Sequence, residues 1–145
     1  MNTRKTLRTN EKGHLEIGGC DATELAEKFG TPLYVMDEQY IRDMCRVYRE
    51  TIAGSYGGNG LVLYASKAFS CMAVYKIAAQ EKVGIDVVSG GELYTAVKAG
   101  FPAENIYMHG NNKLRQELEY ALECGVGTIV VDAYSELDML DLMAA

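Results

Sequence analysis

The sequence predicts an α/β fold built around a parallel sheet, and three observations carry the prediction. Five short apolar runs occupy residues 33–36 (LYVM), 61–65 (LVLYA), 84–88 (GIDVV), 105–108 (NIYM) and 128–131 (TIVV). They begin 28, 23, 21 and 23 residues apart, which is the repeat of a strand-plus-helix unit. The runs are apolar rather than alternating, as strands covered on both faces are. The stretches between them carry apolar residues at helical spacing.

Taken in order, the first 30 residues stand outside this repeat and read as a lead-in, with residues 31–145 as the repeating domain. Within the lead-in, residues 15–17 suit a strand. Residues 21–29 suit a helix capped by Asp21 and closed by Gly30. Asp37 can cap a helix over 38–53, where Ile41, Met44, Cys45 and Tyr48 share a face. The stretch SYGGNG, 55–60, is a loop. Ser70 is placed to cap a helix over 71–82. Ser89 precedes a helix over 90–99, which Gly100 ends and Pro102 cannot continue. A helix over 113–123 is closed by Gly125. The last begins near Ser135, and its apolar pattern (Leu137, Leu140, Leu142, Met143) runs on to residue 145. A natural C-terminus usually carries a cap or a polar tail, so the chain is expected to be cut short there.

Composition narrows the class. The 145 residues are 48% apolar and 23% charged, with 15 Gly and 2 Pro, as in soluble globular domains. The net charge of −6 argues against nucleic acid as a partner. No apolar run is long enough to span a membrane. The basic start (Arg4, Lys5, Arg8, Lys12) precedes no apolar stretch, so it is not a secretory signal. Cys20, Cys45, Cys71 and Cys124 are too widely spaced for zinc pairing or CxxC chemistry, and fit free thiols in a reducing cytoplasm. His14 and His109 are too few for a metal cluster, so no metal is expected.

Five such units suit either the first part of a (β/α)8 TIM-type barrel or a doubly wound flavodoxin-like sheet. The second fits poorly, because VMDEQY after the first run lacks the glycines of a phosphate-binding turn. Both folds place chemistry at the carboxyl ends of the strands. There stand Asp37, Lys67, Asp86, Glu92, His109, Asn111, Asn112, Lys113 and Asp132. Lys67 follows its strand closely among small residues. Held there and partly desolvated, its amine would suit Schiff-base chemistry, although a solvated strand-end lysine is the commoner case. Asp86 interrupts an apolar strand and needs a partner, for which a cationic amine on the neighbouring strand is the natural choice; helix capping is the other reading. Gly90 and Gly91 open a helix whose free N–H groups could hold an anion, or serve packing alone. Glu92 suits a first helical turn, and the HGNNK loop could position a ligand or simply turn the chain.

At these residues the sequence resembles the diaminopimelate decarboxylase family. The matching pieces are GTPLYVMD (30–37), YASKAF (64–69), GIDVVSGGELYTAVKAGF (84–101), IYMHGNNK (106–113) and TIVVDAYSEL (128–137), in the family's order and spacing. The resemblance implies a partial barrel of about five βα units, the N-terminal part of a longer fold-type III pyridoxal-phosphate enzyme, incomplete and inactive alone. It implies decarboxylation of meso-2,6-diaminopimelate to L-lysine with pyridoxal 5'-phosphate as cofactor. Lys67 would form the Schiff base. Asp86, Glu92 and His109 would stand near the cofactor, and Asn111 and Asn112 near the substrate. A homodimer is implied for the full-length protein. Phe69 and Leu114 stand where many relatives have Asn and Ser. The alternatives are another barrel decarboxylase or amino-acid racemase, or a non-enzymatic flavodoxin-like domain.

Overall fold

The computed structural model describes residues 6–144; Arg4, Lys5 and Ala145 lie outside them. These residues form two compact units, one reaching to Val47 and the other beginning at Tyr48.

The first unit is a small antiparallel sheet with a helix. Strands β1 (Leu7–Thr9), β2 (Leu15–Ile17) and β3 (Cys20–Asp21) pair in chain order. Only β2 was legible in the apolar pattern. Helix α1 spans Ala22–Phe29, capped by Asp21 and ended by Gly30 at φ +81°, as expected. Asp21 accepts from the Thr23 amide at 2.9 Å and the Thr23 hydroxyl at 2.6 Å, and also faces Asn10 and His14. The Thr23 hydroxyl chiefly, then His14 and Asn10, hold its carboxyl well below the usual range, against the opposing pull of burial. Asp37 accepts from the Tyr40 amide at 3.0 Å and so begins α2 (Glu38–Ser55).

Residues 33–36 carry no ladder, contrary to their reading as the first strand. Apolar composition alone does not make a strand, which needs a partner for its backbone groups. None pairs with this run among the described residues, and Tyr34 is 97% exposed. Four parallel strands therefore stand where five were expected.

In the second unit those strands are β4 (Leu63–Ala65), β5 (Gly84–Val87), β6 (Ile106–Met108) and β7 (Thr128–Ile129), hydrogen-bonded in sequence order. Helices α3 (Met72–Gln80), α4 (Gly90–Lys98) and α5 (Arg115–Glu123) make the crossovers, and α6 (Tyr134–Ala144) follows β7. No reversal of strand order occurs, which is how a barrel winds rather than a doubly wound sheet.

The core lies on one face. Ile85 and Val87 of β5 and Ile106 and Met108 of β6 pack against Tyr75 and Ala78 of α3, Leu93 and Ala96 of α4, and Ala121 of α5. Period-2 alternation sends Asp86 and Tyr107 to the opposite face. Ser89 caps α4 by accepting from the Glu92 amide, and Gly100 and Gly125 take positive φ after α4 and α5. Ser70 does not cap α3. Cys71 holds that position without a side-chain bond, and the Ser70 hydroxyl instead meets the Tyr75 hydroxyl at 2.7 Å. None of the four cysteines is joined in a disulfide. Among the described residues no helix is long and apolar enough to cross a membrane, and no metal-binding cluster occurs.

Candidate active site

The face turned away from the helices carries Asp86 and the polar strand ends. Asp86 registers with Ala65 on one side and Tyr107 on the other. His109 lies two residues beyond Tyr107, and its amide still bonds the Val87 carbonyl at 2.8 Å, so β6 keeps its direction to that point. His109 thus emerges on the face of Asp86. Its Nδ1 stands 3.6 Å from Asp86 Oδ1, the carboxylate 22% and the imidazole 46% exposed.

This corrects the expected pairing of Asp86 with Lys67. On β4 the chain leaves its ladder after Ala65 and makes a single 3-10 turn over Ser66–Ala68. That turn rotates Lys67 out of the alternation that would have brought it beside Asp86. Lys67 is exposed rather than partly desolvated, because a four-stranded open sheet leaves its strand ends to solvent. Among the described residues its ammonium enters no ion pair.

The turn is pinned from below by Ser66, which is completely buried. Its hydroxyl lies 2.7 Å from the Asp86 carbonyl and 2.6 Å from Glu92 Oε2, two acceptors for one proton. Glu92 Oε2 also accepts from the Val88 amide at 2.7 Å. The Tyr64 hydroxyl closes the turn on the Phe69 carbonyl at 3.1 Å. Glu92 therefore spends this oxygen inside the protein, clamping β4 to β5.

Nor is the α4 N-terminus an open anion site. The Gly90 amide donates to Glu117 Oε1 at 2.6 Å, and the other oxygen of Glu117 accepts from the Leu114 amide at 2.9 Å. One carboxylate thus serves the N-terminal ends of α4 and α5, where the helix dipoles favour it. Asn111 and Asn112 are exposed in the loop after β6. Lys113, expected to begin a helix, is instead buried in that loop, with Nζ 2.9 Å from Glu136 Oε1 and 2.5 Å from the Gly110 carbonyl. No local signal pairs Lys113 with Glu136, since the two belong to successive units.

Lys67, Asp86, Glu92 and His109 thus come from the ends of three adjacent parallel strands, the end at which (β/α)-barrel folds carry their active sites. The family model described as pyridoxal-dependent decarboxylase, pyridoxal binding domain, matches residues 38–145, and the chain belongs to that family. It is 56% identical over 136 residues to the diaminopimelate decarboxylase of Bacillus methanolicus, and 55% identical over 136 residues to that of Bacillus subtilis. In each case 94% of this chain aligns with 31% of the relative, so it spans about a third of those proteins. The crystal structure of the diaminopimelate decarboxylase from M. jannaschii in co-complex with L-lysine superposes with a TM-score of 0.87 at 37% identity. That match covers 99% of this chain and 34% of the other.

Proposed function

We propose that the chain contributes the lysine-bearing part of a pyridoxal-phosphate decarboxylase acting on meso-2,6-diaminopimelate to give L-lysine and CO2. The observation that carries this is the gathering of Lys67, Asp86 and His109 at the carboxyl ends of adjacent strands. The residues fit the cofactor's aldehyde, because Lys67 offers a primary amine that is exposed and free of ion pairs. Bound pyridoxal phosphate supplies the electron sink for the charge left when CO2 departs.

The chain's own groups bind and orient. Lys67 Nζ is the covalent anchor. Asp86 Oδ1 faces His109 Nδ1 at 3.6 Å, so the carboxylate and the imidazole stand side by side at the strand ends. Ser66 and Glu92 hold the turn that presents Lys67. Asn111 and Asn112 offer amides toward substrate. Because Glu117 occupies the Gly90 amide, the cofactor phosphate must be held by groups outside that turn.

Residues 31–145 are read as the barrel part and 1–30 as the lead-in. A homodimer of the longer protein follows from the family resemblance. Four cysteines outside any disulfide favour a cytoplasmic setting, and the net charge of −6 favours a small-molecule partner over nucleic acid. L-lysine in the related crystal structure is the product this reading requires.

The test is borohydride reduction of the chain with pyridoxal phosphate, followed by peptide mass mapping. A pyridoxyl group is expected on Lys67 ahead of every other lysine. Equal labelling across the lysines defeats the proposal.

A further inference from the structure

The cluster of Lys113, Glu136 and Asp132 lies outside the groups assigned above, yet Lys113 is a buried charge in the second unit. Its side chain is 1% exposed. Nζ meets Glu136 Oε1 at 2.9 Å, an ion pair rather than an aligned hydrogen bond, and Asp132 Oδ2 lies at 4.0 Å. The same ammonium donates to the Gly110 carbonyl at 2.5 Å. A buried ion pair is a costly way to fill space, because apolar residues of like volume usually do as well or better. Its geometry here does something apolar residues cannot. It ties the carbonyl of Gly110, inside the loop after β6, to the first turn of α6 in the next βα unit.

Gly110 is held on its other side too. It sits at φ +99°, and a Cβ there would approach the Val88 carbonyl oxygen to 3.0 Å. The loop is therefore fixed between β5 and α6, and His109 and Asn111 flank the fixed residue. We infer that the Lys113–Glu136 pair is a positioning element that sets where His109 and the two asparagines stand at the carboxyl end of the sheet. The inference rests on the reading of this loop as part of the site.

The experiment separates positioning from mere stabilisation. Lys113→Met leaves Glu136 buried without a partner and can fail to fold. The double variant Lys113→Met with Glu136→Leu leaves neither member of the buried pair charged, and Glu136→Gln keeps the shape while removing the charge. Two readouts are taken on the folded chains. The first is the rate of His109 modification by diethyl pyrocarbonate relative to His14, the other histidine of the chain and an internal control. The second is amide exchange across residues 109–114 relative to α3. In the double variant the histidine ratio is expected to change by about twofold or more and loop exchange to rise by about tenfold, with α3 unchanged; Glu136→Gln moves both the same way by less. Either readout matching the parent in the folded double variant, or in Glu136→Gln should the double variant not fold, overturns the inference. Neither readout involves the cofactor. Failure of Lys67 to capture pyridoxal phosphate while both readouts shift would refute the proposed function and leave this inference standing.

Discussion

Replacing Ser66 by alanine tests how the turn bearing Lys67 is held. The hydroxyl is completely buried and sits 2.6 Å from a carboxylate oxygen and 2.7 Å from a backbone carbonyl. A hydrogen bond to a charged acceptor contributes about 1.5–3 kcal/mol net. The loss should fall within that range rather than above it, because Glu92 Oε2 keeps the Val88 amide at 2.7 Å and is not orphaned. At roughly 3–4 °C per kcal/mol for a chain of this size, the melting temperature should drop by about 5–12 °C. Glu92→Gln retains an acceptor for both donors and should cost less than Glu92→Leu, which strands the Val88 amide and the Ser66 hydroxyl together. The assay is thermal unfolding followed by circular dichroism, with urea titration at 25 °C giving the free-energy difference. Capture of pyridoxal phosphate at Lys67, measured well below the transition, should also become less selective among the lysines. A Ser66→Ala chain that melts within about 2 °C of the parent refutes the argument, because a buried charge-assisted bond cannot be worth so little.

Other outcomes follow from the same geometry. Lys67→Ala should abolish the pyridoxyl label at position 67 without lowering the melting temperature, since the side chain is exposed; peptide mapping and a thermal melt decide both points. Asp86→Asn removes the charge that faces His109 and should weaken retention of pyridoxal phosphate while folding survives, as equilibrium dialysis beside a thermal melt would show. Leu93→Ala, at a fully buried core position, should cost about 2–5 kcal/mol in urea unfolding. The Asp21 carboxyl has a folded-state value below its unfolded value of about 4. Its stabilising effect is therefore full above about pH 5 and is lost as the pH falls through and below 4. Amide exchange over β1–β3 and α1 should show this acid loss, and Asp21→Asn should flatten it. Tyr120 has its phenol raised, by burial first and then by its bond to Cys124. Its neutral form is favoured in the fold, so its contribution holds below about pH 10 and is lost at higher pH; Tyr120→Phe should remove that alkaline dependence in a melting series.

Much of this molecule can be read along the chain, because local geometry depends on local residues. The 21-to-23-residue repeat located the four strands and the crossover helices. Asp21, Asp37 and Ser89 cap the helices they precede, and Gly100 and Gly125 end α4 and α5, since a cap or a positive φ is satisfied within a few residues. The repeat also determined that Lys67, Asp86, Glu92 and His109 stand at strand ends. Partnership was decided elsewhere. Asp86 meets His109 because β6 holds its ladder one residue further while β4 breaks into a 3-10 turn. Glu117 takes the Gly90 amide across 27 residues, and Lys113 finds Glu136 in the following unit. The run at 33–36 has a strand's composition but no ladder partner. Each of these outcomes depends on register and turn geometry in segments far apart in the chain, and spacing within one segment carries no information about them.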